Sequence, residues 1–119
     1  MLEQKNSPKV YLACGATDMR KSINGLCMLV SENFKLDPFE QAVFVFCNRS
    51  RDRIKILSWD ENGFWLYLKR LEKGHFKWPQ QDEIAETINL NYAELLNLLE
   101  STKIEQKLKK SVVLQRKIS

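Results

Sequence analysis

The chain has 119 residues, 44% apolar and 29% charged, with a formal charge of +4, which is enough for one domain with a real core and too little for two. Three scattered cysteines and a single histidine, His75, exclude a disulfide framework, a clustered zinc site and, for want of a nucleophile beside His75, a catalytic triad. No glycine-rich phosphate loop, no apolar run near the ~20 residues that span a bilayer and no signal peptide can be read, so a cytoplasmic protein without cofactor, metal or membrane partner is expected. Residues 1–8 read as a loose lead-in. Val10-Tyr11-Leu12-Ala13 is a short β-rich run stopped by Gly15. Met19, Ile23, Leu26, Val30 and Phe34 then recur at helical spacing, which predicts an amphipathic helix with Thr17 or Asp18 as its N-cap. Gly25 weakens that helix unless something packs closely over it, and Asp37-Pro38 ends the segment.

Ala42 to Cys47 is apolar throughout, as suits a strand covered on both faces. Arg53–Trp59 and Phe64–Arg70 flank Asp60-Glu61-Asn62-Gly63, and Asn-Gly between β-rich runs predicts a hairpin. A two-residue loop pairs Glu61 with Phe64, and a four-residue loop pairs Trp59 with Phe64. Either even register puts Arg53, Lys55, Leu57, Trp59, Phe64, Leu66, Leu68 and Arg70 on one face. Ile54, Ile56, Ser58, Trp65, Tyr67, Lys69 and Leu71 then share the other. The expectation is a largely buried hairpin with basic residues at its open end. His75–Trp78 predicts a further strand ended by Pro79, and Thr87–Leu90 a short one. Asn91 with Glu94 has the form of a capping box. It opens a helix whose apolar stripe is Tyr92, Leu95, Leu96 and Leu99, prolonged by Ile104 and Leu108. Together these elements predict a single α+β domain over residues 1–100, a mostly antiparallel sheet of about five strands with two helices. Residues 101–119 are expected as a basic helical extension, fraying beyond Ser111.

The charge is uneven. Residues 101–119 hold six basic side chains against Glu105, and residues 49–77 hold eight against four acidic ones. The rest of the chain is acidic. Concentrated positive charge attracts polyanions, nucleic acid first, through counterion release. Gly15–Ser22, with Arg20 and Lys21, is a strand-to-helix turn that could cradle phosphate or merely cap a helix.

The words of the sequence also resemble a bacterial family. Val10-Tyr11-Leu12-Ala13-Cys14-Gly15, Thr17-Asp18-Met19-Arg20-Lys21-Ser22, Gly25-Leu26, Asp37-Pro38-Phe39, Val43–Phe46 and Asn48-Arg49 stand in the family's order. Asp52–Leu57, Trp59-Asp60, Gly63, Lys69-Arg70-Leu71-Glu72, Gly74, Phe76 and Trp78-Pro79 continue it. Together they look like the accessory protein encoded by the second open reading frame of insertion-sequence-66-type transposable elements. The family's usual Gly-Ile-Asp-Trp-like ending is replaced here by Ser101-Thr102-Lys103 and the basic tail. The resemblance implies participation in DNA transposition beside a separate transposase that carries the chemistry.

Three functions are therefore weighed. The first is a non-catalytic accessory protein that binds nucleic acid, namely the DNA of the element ends, through Arg20, Lys21, Arg49, Arg51, Arg53, Lys55, Lys69 and Arg70. In it Trp65 and Tyr67 either stack bases or belong to the core. The second is an adaptor that binds the transposase through the Tyr92–Leu108 helix, unless those leucines simply close the core. The third is a metal-dependent nuclease using Asp18, Asp52, Asp60 and Glu61, although turn and cap roles already account for these acids.

Overall fold

The strand with no polar residue sets the architecture. In a computed structural model, which describes residues 8–80 and 85–100, Ala42–Cys47 is buried at all six positions. It is the middle strand of a five-stranded sheet, so both of its faces must be covered by other elements. We number the strands β1 (Lys9–Ala13), β2 (Ala42–Cys47), β3 (Arg53–Asp60), β4 (Gly63–Arg70) and β5 (Thr87–Leu90). Their spatial order is β4-β3-β2-β1-β5. Only β1 and β2 run parallel, and every other pair is antiparallel.

A parallel neighbour requires a crossover, and the early helix supplies it. Alternation along the strands then divides the core in two. On one face Ala13, Ala42, Phe44, Phe46 and Leu57 pack against Leu26 and Val30 of that helix. On the other face Val10, Leu12, Val43, Val45, Cys47, Ile54 and Ile56 meet Phe76, Trp78 and Leu95. The α+β expectation holds, with the crossover placing one parallel pair at the centre.

The early helix starts later than its stripe suggests. Its regular part, α1, is Ile23–Met28, preceded by Ser22 in extended backbone and followed by a π-helical turn over Leu29–Asn33. Thr17 and Asp18 are not its caps. The Thr17 N–H donates to the Cys47 carbonyl at 2.7 Å. The Lys55 ammonium also holds the carbonyls of Met19 and Lys21 at 2.8 and 3.0 Å. Residues 17–21 are therefore pinned to the sheet before they can coil. The wide turn is closed by Phe34 N–H to Leu29 O, an i→i+5 bond. Leu26, Val30 and Phe34 are spaced by four. The wide turn offsets the drift that such spacing would suffer in a pure α-helix.

The hairpin adopts the Trp59–Phe64 register and closes by one further pair, Asp60 with Gly63, so its turn is Glu61-Asn62. The two predicted faces follow from that parity. The burial differs, because β4 is an edge strand whose residues are all half-buried or exposed. His75–Trp78 does not join the sheet as a strand. Phe76 donates its N–H to Arg51 O, and its side chain is fully buried with Trp78, so the segment is a plug under the sheet.

The second helix, α2 (Tyr92–Glu100), carries the reciprocal box: Glu94 N–H to Asn91 Oδ1 and Asn91 N–H to Glu94 Oε1, both 2.8 Å. Leu95, Leu98 and Leu99 face the sheet while Leu96 is exposed, so Leu98 takes the place expected of Leu96. The lead-in before Pro8, the continuation through Ile104 and Leu108, and the basic extension 101–119 lie outside the described residues.

Candidate nucleic-acid interface

Strand direction decides where the cations go. β1 and β2 end, β3 begins and β4 ends at the same edge of the sheet, because Lys9 pairs with Ala42, Cys47 with Ile54 and Arg53 with Arg70. Arg49, Arg51, Arg53, Lys55, Lys69 and Arg70 therefore all lie at or within two residues of a strand terminus at that end. The bonds from Lys55 to the Met19 and Lys21 carbonyls bring Arg20 and Lys21 to it as well. Asp37, Glu40, Asp60 and Glu61 stand at the opposite end, beside the start of β2 and the hairpin turn.

The turn Asn48–Asp52 is built to hold its shape. Asn48 Oδ1 accepts the N–H groups of Asp52 and Arg53 at 3.0 Å each, and Asn48 Nδ2 donates to Asp52 Oδ1 at 2.7 Å. The following segment locks on from outside, with Leu71 N–H to Asp52 O at 2.8 Å and Phe76 N–H to Arg51 O at 2.7 Å. Arg51 sits within this frame at φ 61°, a left-handed conformation that costs a residue with a Cβ about 1–2 kcal/mol. Gly15, at φ 77°, makes the facing corner and donates its N–H to Pro79 O at 2.8 Å. The indole of Trp78 donates to Ala13 O at 2.9 Å beneath it. Between these walls is a cleft of about 330 Å³ lined by Gly15, Ala16, Asn48, Arg49, Arg51, Trp78 and Gln80. A second hollow of about 200 Å³ shares Ala16 and includes Thr17, Asp18 and Lys21.

The cations differ in how free they are. Arg20 is committed to Asp18, with Nη2–Oδ2 at 2.8 Å and two contacts from Nε at 3.1 and 3.2 Å. That guanidinium, helped by the Arg20 N–H, holds the Asp18 carboxyl down at about 2. Arg70 pairs with Glu72 at 2.9 Å. The Lys55 ammonium is turned inward onto backbone carbonyls, as described above. Lys69 projects from the other face and donates to Leu99 O of α2 at 3.3 Å. Lys21, Arg49, Arg51 and Arg53 make no side-chain hydrogen bond or ion pair among the described residues. Lys21 lies close over Gly25, where an added Cβ would meet Lys21 Cβ at 3.3 Å. This is the close packing that a glycine in that helix calls for.

Trp65 and Tyr67 stack on each other with centroids 5.9 Å apart, and Trp65 remains half exposed. Both stand on the outer strand, across the sheet from Arg53 and Arg70, with Tyr67 half-buried against the core and Trp65 facing outward. The leucines of α2 close the core and leave only Leu96 outside among the described residues. The four acids considered for metal chemistry divide into two pairs at opposite ends of β3, an eight-residue strand that spans ~26 Å. Asp18 is bonded to Arg20 and Asp52 to Asn48, and no group of three or more His, Cys, Asp or Glu side chains able to hold a metal occurs among the described residues. No described helix is long and apolar enough to cross a membrane. Sequence reasoning missed the roles of Asn48, Trp78 and Gln80. An Asn opening a polar turn was a readable signal for the first, whereas nothing local marks Gln80.

A family profile described as "IS66 Orf2 like protein" matches residues 8–109, which takes in both hollows, the hairpin and the plug. The chain belongs to that family. An IS66 Orf2-like protein has an accessory role in transposition, as the motifs from Val10 to Pro79 led us to expect. Two relatives come from Sinorhizobium fredii (strain NBRC 101917 / NGR234). The chain is 37% identical to uncharacterized protein y4hO over 99 residues, covering 83% of this chain and 84% of that protein. It is 33% identical to uncharacterized protein y4jC over 79 residues, covering 66% and 68% respectively. No solved structure matches it.

Proposed function

We propose that this IS66 Orf2-like protein binds nucleic acid, the DNA of the element ends, through the basic end of its sheet. Lys21, Arg49, Arg51 and Arg53 make the first contacts. The observation that carries the reading is the rigid Asn48–Asp52 turn. It presents Arg49 and Arg51 at the mouth of a cleft and keeps Arg51 in a conformation that glycine would adopt with less strain. A guanidinium in that place has a use that folding alone does not supply. The cleft lies at the carboxyl ends of the two parallel strands, where open α/β sheets bind ligands. Arg20 and Arg70, each half-neutralised by a neighbouring acid, add screened attraction at the rim. Lys55 acts as a strut for the Met19–Lys21 backbone, and Lys69 ties β4 to α2.

The test is a gel shift of the whole chain on element-end DNA across a salt series. Binding should weaken steeply with salt. The Arg49→Gln, Arg51→Gln double variant should flatten the dependence of log K on log salt by roughly 1.8, about 0.9 for each phosphate that is no longer neutralised. A Lys69→Gln control should leave that slope where it was. No shift at low salt, or a slope untouched by the double variant, would remove the reading.

A further inference from the structure

The feature left unused by the basic end is the outer edge of β4. We infer that two copies of this chain pair antiparallel through β4, continuing the five-stranded sheet across a two-fold axis. β4 is eight residues long, contains no proline and has a partner on only one side among the described residues. Natural edge strands are normally short, bulged or charged along their course. Here Phe64 to Leu68 is apolar without interruption. It also exposes large side chains on both faces, Trp65 at 50% on one and Leu68 at 61% on the other.

Charge selects the partner and its direction. The strand ends in Lys69-Arg70, while Asp60, at the end of β3, and Glu61, in the turn, stand beside its start. A second copy running antiparallel sets the basic end of each strand beside the acidic turn of the other. A parallel copy would set like charges together. A two-fold axis perpendicular to the sheet keeps each face continuous, so opposed residues must share a face. Leu66 or Tyr67, at the middle of β4, then lies opposite itself. Such pairing covers Trp65 and Leu68 while leaving the Asn48–Asp52 turn of each copy open. The inference does not depend on the nucleic-acid reading.

Sedimentation of the full chain at tens of micromolar should give a mass twice the chain's 14.0 kDa. Leu68→Lys combined with Trp65→Lys should give the monomer with an unchanged circular dichroism spectrum. Because those positions are half exposed or more, a folded monomer is the expected product. If the double variant misfolds, crosslinking decides. A short thiol-specific crosslinker should join two Tyr67→Cys copies but not two Glu61→Cys copies, judged against the wild-type chain. A wild-type monomer throughout the concentration range would overturn the inference. So would a dimer that survives the double lysine variant, or crosslinking of Glu61→Cys copies in preference to Tyr67→Cys copies.

Discussion

Asp18 and Arg20 show how a local pair can take residues out of a surface. The carboxylate receives both the guanidinium and the backbone N–H of Arg20, so its charged form is favoured and it titrates at about 2 rather than at the ordinary 3.8. A depressed acid pKa supports the fold above the ordinary aspartate value, and the support fades as pH falls through about 2. The carboxyl resonance of Asp18, followed by NMR, should therefore move near pH 2, and Arg20→Ala should return it toward the usual range. Arg51 offers the opposite trade. Arg51→Gly relieves the left-handed strain, partly offset by the extra freedom of glycine in the unfolded chain, so urea unfolding should show a gain of up to about 1 kcal/mol. The same variant should bind element-end DNA more weakly. A stability gain without a binding loss would leave Arg51's conformation as nothing more than a feature of the turn.

The elements divide by how local their causes are. The central apolar strand, the two hairpin faces and the Asn91–Glu94 box were all legible in the sequence, because each depends on residues within a few positions of one another. The start of α1 was not. It is set by Cys47 and Lys55, which hold residues 17–21 against coiling through bonds that join positions 30 to 36 residues apart. The plug at Phe76 was not legible either, since a short aromatic run reads as a strand until all five places in the sheet are known to be filled by other segments. Its cost is measurable. Phe76 is fully buried in contact with the sheet's core, and Phe76→Ala should destabilise by about 3–5 kcal/mol in urea unfolding. Of the candidate site, the cationic residues could be named from sequence. Which of them stay unpaired depended on acids such as Glu72 and on carbonyls such as Leu99 O, whose positions only the fold supplies.

Across the whole molecule the sheet is charged unequally at its two ends, and the middle strand between them is buried at every position. Cys47, in the middle strand, is fully buried, and burial pushes its thiol up to about 12. It should resist thiol reagents at pH 8 in the native protein, and its slow labelling should track global unfolding as denaturant is added. Labelling as fast as in the unfolded chain would show the central strand opening locally. The order β4-β3-β2-β1-β5 has a further consequence during synthesis. β1 leaves the ribosome first, yet one of its two neighbours, β5, is paired through Val10 with Leu90. At ~5–20 residues per second that partner appears several seconds later. Until then the side of β1 that β5 will cover stays unpaired, open to chaperones and to other nascent chains.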